Sequence, residues 1–428
     1  MAQLSDDCFA FGGELTPLQD ALAALHDRTV PIVSVSTVSL PDAAGRFLAE
    51  DIVAPMDVPP HANSAVDGYA VYFDDLLSDA ETRLPVTGRA AAGHPLPHPA
   101  RRGAATRIFT GAAMPSGDGD SGPDTVMMQE DCRLDGDTVS IQPGIKMGAN
   151  RRAAGEDIRQ GETVLTTGQR LRPQEIGVAA SLGHTTLNVY DPLRVAVFSS
   201  GDELRDPDTA RLSPGSIFDS NRFMLIAALS RLGCIVTDLG IIPDRVDIIR
   251  NALAAAALDH DLVITSGGMS TGEEDHIKAA VEAQGSLHFW RLAIKPGRPV
   301  ALGQINTPRG PVPVAGLPGN PGAAIVTFLT VARPLILRLS GAANTAPVSY
   351  RVRSGFEHRK KISRREFVRA RIENGSDGGP VAHKNGRSGA GVLSSLVGAD
   401  GLVILPEDLT VLEPGNMVDF LPFTEVMP

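Results

Sequence analysis

Hydrophobic positions change their spacing along the chain, and each change predicts a different kind of structure. Behind Thr16 and Pro17, apolar residues recur at the three- and four-residue spacing of one helix face: Leu18, Ala21, Leu22 and Leu25. Proline suits the first position of a helix, and a threonine before it can accept hydrogen bonds from the helix N-terminus. The sequence therefore predicts an early helix with Thr16 as its cap.

The following segment loses this periodicity. From 56 to 150, glycine and proline accumulate, and short apolar runs alternate with turn residues, as is typical of β-strands. Helical spacing returns at Pro173–Leu182. This order predicts a β-rich domain of residues 56–150, inserted into a discontinuous N-terminal domain of residues 1–55 and 151–190.

Between residues 191 and 340, strand-like runs alternate with helical runs. The strand-like runs are Leu193–Phe198, Cys234–Leu239, Leu262–Thr265, Leu287–Ile294, Pro299–Gly303 and Val312–Ala315. The helical runs are Asn221–Leu232, Val246–Leu258, Asp275–Gln284 and a last helix from Pro321. Such alternation predicts a doubly wound, mostly parallel sheet. Residues 341–428 return to short strand-like runs, which predict a small β-barrel and make the fold class multidomain α/β.

Acidic residues stand where the central strands end, and ligands of such sheets bind at the carboxyl ends of the strands. Glu203 follows the first strand, Asp244 the second, and Asp275 ends the loop after the third. Carboxylates from three loops at one edge could hold a hard divalent cation. The alternative is that each acid caps a helix or is a solvated loop residue.

Two loops at this edge consist of small residues: Ser266-Gly267-Gly268 and Pro318-Gly319-Asn320-Pro321. Small residues let main-chain amides approach a ligand, and helix N-termini attract anions. The nearby basic residues are Arg291, Lys295 and Arg298. Arg291 and Lys295 would share one face if the run between them were a single strand, although an ordinary surface strand would look the same.

Several common chemistries lack their motifs. No lysine follows a glycine, so the P-loop is absent, and the glycines at 267, 268 and 272 do not match the dinucleotide fingerprint. Gly268-Met269-Ser270-Thr271-Gly272 has the letters of a nucleophile elbow, but Ser270 stands too far from the preceding strand for that tight turn. Nucleotide hydrolysis, nicotinamide binding and serine hydrolysis are therefore disfavoured.

Composition narrows the partners. The 428 residues include 39 Lys+Arg and 50 Asp+Glu, a net charge of −11, which opposes nucleic acid or an anionic membrane as the main partner. Three distant cysteines argue against disulfides and thiolate zinc. The N-terminus has no export signal pattern, and the longest apolar runs are short. We expect a soluble cytoplasmic protein.

A series of short motifs resembles, in order, those of one known family. They are Asn63-Ser64-Ala65-Val66-Asp67-Gly68-Tyr69-Ala70, Thr110-Gly111-Ala112, Gly155-Glu156-Asp157-Ile158, Gly201-Asp202-Glu203-Leu204, Ser266-Gly267-Gly268, Gly272-Glu273, Lys295-Pro296-Gly297 and Leu317-Pro318-Gly319-Asn320-Pro321. Each motif is unspecific alone, but their order along nearly the whole chain is specific. The chain thus resembles the molybdopterin molybdenumtransferases, the family of bacterial MoeA proteins and of the gephyrin E domain.

The resemblance implies a reaction in which molybdate and adenylylated molybdopterin give the molybdenum-loaded pterin and AMP. It implies Mg²⁺ as cofactor, with Glu203, Asp244 and Asp275 as ligands. The implied catalytic residues are Asp67, Asp157, Lys295 and Asp275. The implied substrate-binding residues are Ser266, Gly267, Gly268, Arg291, Arg298, Pro318, Gly319, Asn320 and Pro321.

The same resemblance implies a homodimer whose active sites are shared between the central domain of one subunit and the N-terminal domains of the other. The pterin is the small-molecule partner, and the candidate protein partners are the molybdopterin adenylyltransferase and molybdoenzyme chaperones. Neither nucleic acid nor a membrane is expected. Two alternatives stay open: the sister adenylyltransferase activity, whose enzyme is smaller, and a scaffold without catalysis, as in gephyrin.

The sequence departs from the family pattern at a few positions. Ala323 and Ala324 stand where many members have Val-Ser, and Ala390 replaces a serine of the C-terminal domain. Arg291 stands where some bacterial members have lysine, which keeps the charge but changes the hydrogen-bond geometry. These changes affect the expected contribution of the C-terminal domain more than the reaction.

Overall fold

The computed structural model describes residues 15–119, 121–209, 211–267 and 276–427. Its centre is a six-stranded sheet of β1 (Arg194–Ser200), β2 (Ile235–Ile242), β3 (Leu262–Ser266), β4 (Gly285–Arg291), β5 (Pro299–Thr307) and β6 (Gly310–Leu317). The strand order is β2-β1-β3-β6-β5-β4. The first four strands in this order are mutually parallel, β5 runs antiparallel to them, and β4, which pairs antiparallel with β5, again runs in their direction. The predicted mostly parallel sheet is confirmed.

Helices cover both faces of this sheet. They are α1 (Asn221–Arg231), α2 (Val246–Asp259), α3 (His276–Glu282), α4 (Pro321–Thr327) and α5 (Arg333–Leu339). Successive side chains of a strand point to opposite faces. Accordingly, Val195 and Val197 of β1 join a core with α1, α4 and α5, whereas Ala196 and Phe198 join a second core with α2 and α3.

A π-helical turn, Phe328–Ala332, joins α4 to α5, so Pro321–Leu339 is continuous. This stretch is, among the described helices, the one long and apolar enough to cross a membrane by length and composition. It is also 94% buried inside the fold. A helix in the core of a large domain has the same composition, because it is apolar all round.

The helix predicted behind Thr16 and Pro17 exists and spans Leu18–Arg28, but the prediction that Thr16 caps it is wrong. Pro17 occupies the cap position, and the main chain of Thr16 instead pairs with the segment that follows β4, through Arg291 and Leu292. The apolar face of this helix packs into the first of the two central cores.

The rest of the N-terminal region is built from both sides of the insertion. Val35–Ser39 pairs antiparallel with Thr186–Tyr190, and Ile52–Val53 with Thr163–Leu165. The helices here are Leu40–Ala43 and Pro173–Ser181. The two halves share one hydrophobic core, as a discontinuous unit requires, although the exact domain limits stay a prediction.

The inserted segment forms a six-stranded sheet, which agrees with its β-like pattern. Its strands are Gly68–Val71, Thr82–Ala90, Ala105–Ile108, Thr125–Met128, Cys132–Asp135 and Thr138–Ile141. Short 3-10 helices follow the first and fourth of these at Phe73–Asp75 and Gln129–Asp131. A two-residue pairing of Asn63–Ser64 with Arg151–Arg152 closes the base of the insertion.

The C-terminal region is a closed barrel, as predicted. Its strands are Tyr350–Ser354, Arg365–Asn374, Pro380–Lys384, Gly401–Leu405 and Met417–Pro422. The five strands form a ring in which each pairs with two others. Arg365–Asn374 closes this ring because it pairs with both Pro380–Lys384 and Gly401–Leu405. A short strand of the central region, Ile294–Lys295, pairs with Arg365–Glu366 and joins the barrel to the central domain.

The remaining short elements lie at the margins of these units. They are the strands Leu204–Arg205, Ile217–Phe218, His358–Arg359 and Val411–Leu412, the 3-10 helix Leu393–Ser395 and the final helix Phe423–Val426. One of these pairs, Leu204–Arg205 with Ile217–Phe218, stands directly beside the carboxyl ends of the central strands.

Candidate functional site

The carboxyl ends of β1, β2, β3 and β6 meet at one edge because these four strands are adjacent and parallel. The loops that follow β1, β2 and β6 carry Glu203, Asp244 and Gly319, and Ser266 is the last residue of β3. A hydrogen bond of 3.2 Å from Ser200 Oγ to Asp244 Oδ1 joins the first two loops. The structure therefore gathers the sequence-predicted loops into one crevice.

Asn221, the first residue of α1, joins the other two loops. Its Nδ2 donates to Ser266 Oγ at 2.8 Å and to the Gly319 carbonyl at 2.7 Å. The Ser266 hydroxyl in turn donates to the Pro318 carbonyl at 3.1 Å. The sequence analysis did not select Asn221, although an asparagine in the first turn of a helix that follows an Asp-Ser pair was a visible signal.

Gly267 needs to be glycine for two separate reasons. Its φ of 88° lies in the left-handed region, which side chains with a Cβ rarely adopt. A Cβ at this position would also lie 2.8 Å from the Ser200 carbonyl oxygen. The loops after β1 and β3 therefore touch through main chain alone, which leaves no space for a side chain between them. Gly268 lies outside the described residues.

The carboxylates at this edge are oxygen donors of the kind that magnesium prefers. Glu203 is exposed and folds back over Gly201, where an added Cβ would lie 2.6 Å from Glu203 Oε2. Asp244 Oδ1 lies 3.3 Å from His276 Nδ1. Asp275 lies outside the described residues. No three acidic, His or Cys side chains converge as a metal site within residues 15–267 and 276–427, except that 120 and 210 are not described.

The predicted shared face of Arg291 and Lys295 is wrong, because the run between them is not a single strand. β4 ends at Arg291, and Lys295 belongs to the short strand that pairs with the barrel. Lys295 Nζ lies 3.2 Å from both carboxylate oxygens of Glu366. His358 Nε2 lies 2.9 Å from Glu366 Oε2. Lys295 therefore marks the contact between two domains.

A pocket of about 180 Å³ opens beside this contact. Its lining has an excess of basic side chains, since Glu366 is the single acid among Lys295, His358, Arg369, Lys384 and Arg387. Arg369 is only 7% exposed, and its burial lowers the pKa of the guanidinium. Its Nη2 donates to the Gly389 carbonyl at 3.2 Å, whereas Nη1 is buried without a hydrogen-bond partner.

The sequence analysis missed Arg369, because it read the strand around this arginine only as barrel. An arginine between the apolar residues Val368 and Ala370 was the available signal, since a buried arginine needs a partner. The barrel also reaches the start of α4, where the Gly322 amide donates to the Ala390 carbonyl at 2.7 Å. This contact uses main chain, so it is preserved although residue 390 has no hydroxyl.

A second group of positive charges lies next to β4. Burial, together with the nearby charges of Arg364 and Arg291, lowers the pKa of Arg298. The three arginines repel one another because their charges are alike, and a bound anion would offset this repulsion. Arg298 and Arg291 thus fit the predicted anionic ligand, joined by Arg364, which the sequence analysis did not select.

Asp67 and Asp157 lie in the N-terminal region. Asp67 Oδ1 accepts hydrogen bonds from Thr110, from the amide at 2.8 Å and the hydroxyl at 2.7 Å. These two bonds lower the pKa of Asp67 and keep the carboxylate charged. The Asp157 amide donates to the Val58 carbonyl at 3.0 Å. These hydrogen bonds of Asp67 and Asp157 thus lie within the N-terminal region and the insertion.

Comparisons with known proteins cover almost the whole chain. Family models match it in three parts, described as the MoeA N-terminal region (domain I and II) over residues 16–183, a probable molybdopterin binding domain over 196–338 and the MoeA C-terminal region (domain IV) over 351–423. The chain is 36% identical over 392 residues to the molybdopterin molybdenumtransferase of Haemophilus influenzae, which covers 91% of this chain and 94% of that protein.

Other relatives agree. A molybdopterin molybdenumtransferase of Nostoc sp. is 35% identical over 387 residues, covering 89% of this chain and 87% of that protein. The crystal structure of the molybdopterin biosynthesis moeA protein from Pyrococcus horikoshii matches with a TM-score of 0.80 at 28% identity, covering 96% of this chain and 100% of that chain.

Fold, site and matches together define a multidomain transferase of molybdenum cofactor biosynthesis. Its central domain carries the crevice, and the basic pocket lies between the central domain and the barrel. The chain belongs to the molybdopterin molybdenumtransferase, or MoeA, family. The resemblance and the fold class expected from the sequence are therefore confirmed.

Proposed function

We propose that this protein inserts molybdenum from molybdate into adenylylated molybdopterin, releases AMP, and requires Mg²⁺. The observation that carries the proposal is the basic pocket beside the crevice, with the buried, unpartnered Nη1 of Arg369 in its wall. A buried charged donor without an acceptor is costly unless a ligand completes it. A tetrahedral oxyanion such as molybdate has the charge and the acceptor oxygens to do so.

The crevice suits the other substrate. Adenylylated molybdopterin carries two linked phosphates. When AMP is released by hydrolysis, the oxygen of a water molecule forms a new P–O bond as the bridging P–O bond breaks, protons pass to solvent, and negative charge is left on AMP and on the pterin phosphate. Gly267 lets the loops after β1 and β3 approach each other closely, because no side chain stands between them. Arg298 and Arg291 add positive charge nearby. Such fixed donors stabilise charge as it develops.

Glu203 and Asp244 would hold Mg²⁺ together with Asp275, and the described pair fits this role because both offer oxygens from neighbouring strand ends. When bound, the ion would offset phosphate charge and orient the link that breaks. Lys295 would serve both substrates, since it lines the pocket and its short strand ends three residues before Arg298. Its pairing with the buried Glu366 holds it there.

Asp67 and Asp157 enter the proposal through a homodimer. Their hydrogen bonds keep them within the N-terminal region, so a partner subunit whose N-terminal region faces this crevice would bring them to Lys295. Asp67 keeps Oδ2 available for such a contact, because Thr110 occupies only Oδ1. Further proposed partners are the molybdopterin adenylyltransferase and molybdoenzyme chaperones, and the proposed location is the cytoplasm.

One assay tests the function against its alternatives. The purified protein is incubated with adenylylated molybdopterin, and released AMP is measured with and without Mg²⁺ and molybdate. We expect AMP only when both are present. An adenylyltransferase would instead form adenylylated molybdopterin from ATP and molybdopterin, and a scaffold would release no AMP under any condition. Either of these results would overturn the proposal.

A further inference from the structure

The loop between Glu203 and Asp219 begins and ends with two short strands that pair with each other, and we call this strand pairing the neck. The short strand Leu204–Arg205 pairs in parallel with Ile217–Phe218, and the Ile217 amide donates to the Glu203 carbonyl at 2.8 Å. Glu203 is thus attached to the neck by its own main chain. The position of the Glu203 carboxylate depends on whether this two-residue pairing is held in place.

A single guanidinium closes the neck. Asp206 and Asp219 are the residues that directly follow the two paired strands, and both bind Arg222. Arg222 Nη2 lies 2.8 Å from Asp206 Oδ2, and Nε lies 3.0 Å from Asp219 Oδ2. The third nitrogen, Nη1, donates to Asp238 on β2. The fork therefore joins both sides of the neck to the strand whose end leads to Asp244.

Arg222 and its three carboxylate partners differ in solvent exposure, so one of the three contacts is buried and the others lie nearer the surface. Arg222 is 3% exposed and Asp219 2%, whereas Asp206 is 42% and Asp238 39% exposed. Burial alone would lower the pKa of Arg222, but its hydrogen bonds to Asp238 and Asp219 outweigh this and raise it. The cation is therefore permanent, and the Asp206 contact lies at the solvent-facing side.

A planar fork is needed for this arrangement. Three carboxylates approach from three segments, and only a guanidinium offers donors in three fixed directions within one plane. A lysine keeps the charge but presents a single nitrogen, which cannot bind all three at their present positions. Asn221, next to Arg222, joins the loops of Ser266 and Gly319. The first turn of α1 thus contacts the loops that follow β1 and β6, the end of β3, and strand β2 itself.

We propose that Arg222 is a positioning residue that closes the neck of the loop and thereby holds Glu203 in place for the divalent cation. The inference rests on the proposed function, because it takes Glu203 as a ligand of Mg²⁺. Arg222 itself contacts neither the ion nor the substrate, and it acts through Asp206 and the strand pairing. Its loss would therefore weaken cation binding rather than the reaction of the fully loaded site.

The test compares three variants with the parent. Arg222→Lys keeps the charge and removes the fork, and Asp206→Ala removes one arm of the neck at a half-exposed position. Asp208→Ala, at an exposed position of the same loop, is the matched control for lost negative charge. Mg²⁺ binding to the protein without substrate is measured by titration calorimetry, alongside the thermal unfolding temperature and the Mg²⁺ dependence of AMP release.

We expect the Kd for Mg²⁺ to rise roughly tenfold in Arg222→Lys and somewhat less in Asp206→Ala, as is common when groups that orient a metal ligand are removed. AMP release at saturating Mg²⁺ should stay near the parent rate. Asp208→Ala should bind Mg²⁺ like the parent. If Arg222→Lys does not fold, the comparison of Mg²⁺ affinity between Asp206→Ala and Asp208→Ala still tests the inference.

Two results overturn the inference. One is parental Mg²⁺ affinity in both Arg222→Lys and Asp206→Ala; the other is equal weakening in Asp206→Ala and Asp208→Ala, which would show a general charge effect. Glu203→Gln separates this failure from failure of the proposed metal site. If Glu203→Gln weakens Mg²⁺ binding and the Arg222 and Asp206 variants do not, only the positioning role is lost.

Discussion

The candidate site has two walls, the crevice at the strand ends and the basic pocket, and different interactions form them. The crevice at the strand ends comes from one domain, and its loops are joined by main chain and by buried polar side chains such as Asn221 and Ser266. The basic pocket lies between two domains, and charged side chains form it: Lys295 from the central region, and Arg369 and Arg387 from the barrel. The loops of the crevice are joined by their own hydrogen bonds, although Asn221 Oδ1 is buried without a partner, whereas the unpartnered atom of the pocket is a charged donor, Arg369 Nη1.

This difference is the reason to propose a different substrate for each part of the site. A rigid edge with carboxylates and polar side chains suits a large ligand that is recognised along its length, because such loops cost little further ordering on binding. A pocket with an unmatched cation suits a small, highly charged ion that completes the charge balance. We therefore expect changes in the pocket to affect anion use strongly, and changes in the crevice to affect binding and stability together.

The largest effect should come from the pocket. Replacing Arg369 with methionine fills similar space without the charged donors, so kcat/KM for molybdate-dependent AMP release should fall roughly a hundredfold or more, as when one preorganised donor is lost. Arg371→Met, on the exposed part of the same strand, is the control and should keep near-parental activity. Parental kinetics in Arg369→Met would remove the pocket from the reaction.

A second experiment examines whether the crevice is completed by another subunit. Asp67→Ala and Lys295→Ala should each be inactive alone. After subunit exchange, half of the dimers are mixed and each has one undamaged site, so about a quarter of the parental activity should return. Exchange is verified with differently tagged chains. Complete exchange without recovered activity would contradict a shared site.

Gly267 allows strain and contact to be measured separately. Gly267→Ala and Gly233→Ala both place a Cβ at positive φ, 88° and 90°, but only the former would meet a neighbouring atom within 3 Å. Each should lose roughly 1–2 kcal/mol of unfolding free energy from the backbone conformation. Gly267→Ala should lose more, and its pterin affinity should also fall. Urea unfolding and pterin titration check both, and normal pterin binding by a destabilised Gly267→Ala would exclude this loop from the site.

The smallest effect concerns Asp67. Hydrogen bonds from the Thr110 amide and hydroxyl lower its pKa, so their stabilisation is present above the ordinary carboxyl pKa and is lost as pH falls through the lowered value. Thr110→Val removes the hydroxyl and keeps the amide, and the pKa of Asp67 should rise part of the way back. The difference in stability between parent and variant should then be present above about pH 4 and disappear as the pH falls below it. Carbon NMR of the Asp67 carboxyl measures this directly, and an unchanged titration would exclude the hydroxyl contribution.

The two walls also differ in what the sequence could predict. The order of strands and glycine loops predicted the crevice, because parallel strands that alternate with helices must bring their carboxyl ends to one edge. The pocket depends on where the barrel packs, and no local pattern connects Lys295 with Glu366, which lies 71 residues away. Arg291 shows the limit: its spacing from Lys295 suggested one strand, but the chain leaves the central sheet between them. The contacts of Asn221 and Arg222 were equally hidden, since hydrogen bonds between loops have no sequence period.

The short pairing of Ile294–Lys295 with Arg365–Glu366 also has a thermodynamic consequence. A pocket with walls from two domains exists only while the domains touch, so an anion that binds there must stabilise their contact by the same free energy that the contact lends to binding. At a hundred times its Kd, such an anion would add about 2.7 kcal/mol to the association of barrel and central domain. If the proposed oxyanion binds there, the barrel is held to the central domain less firmly when that ion is scarce.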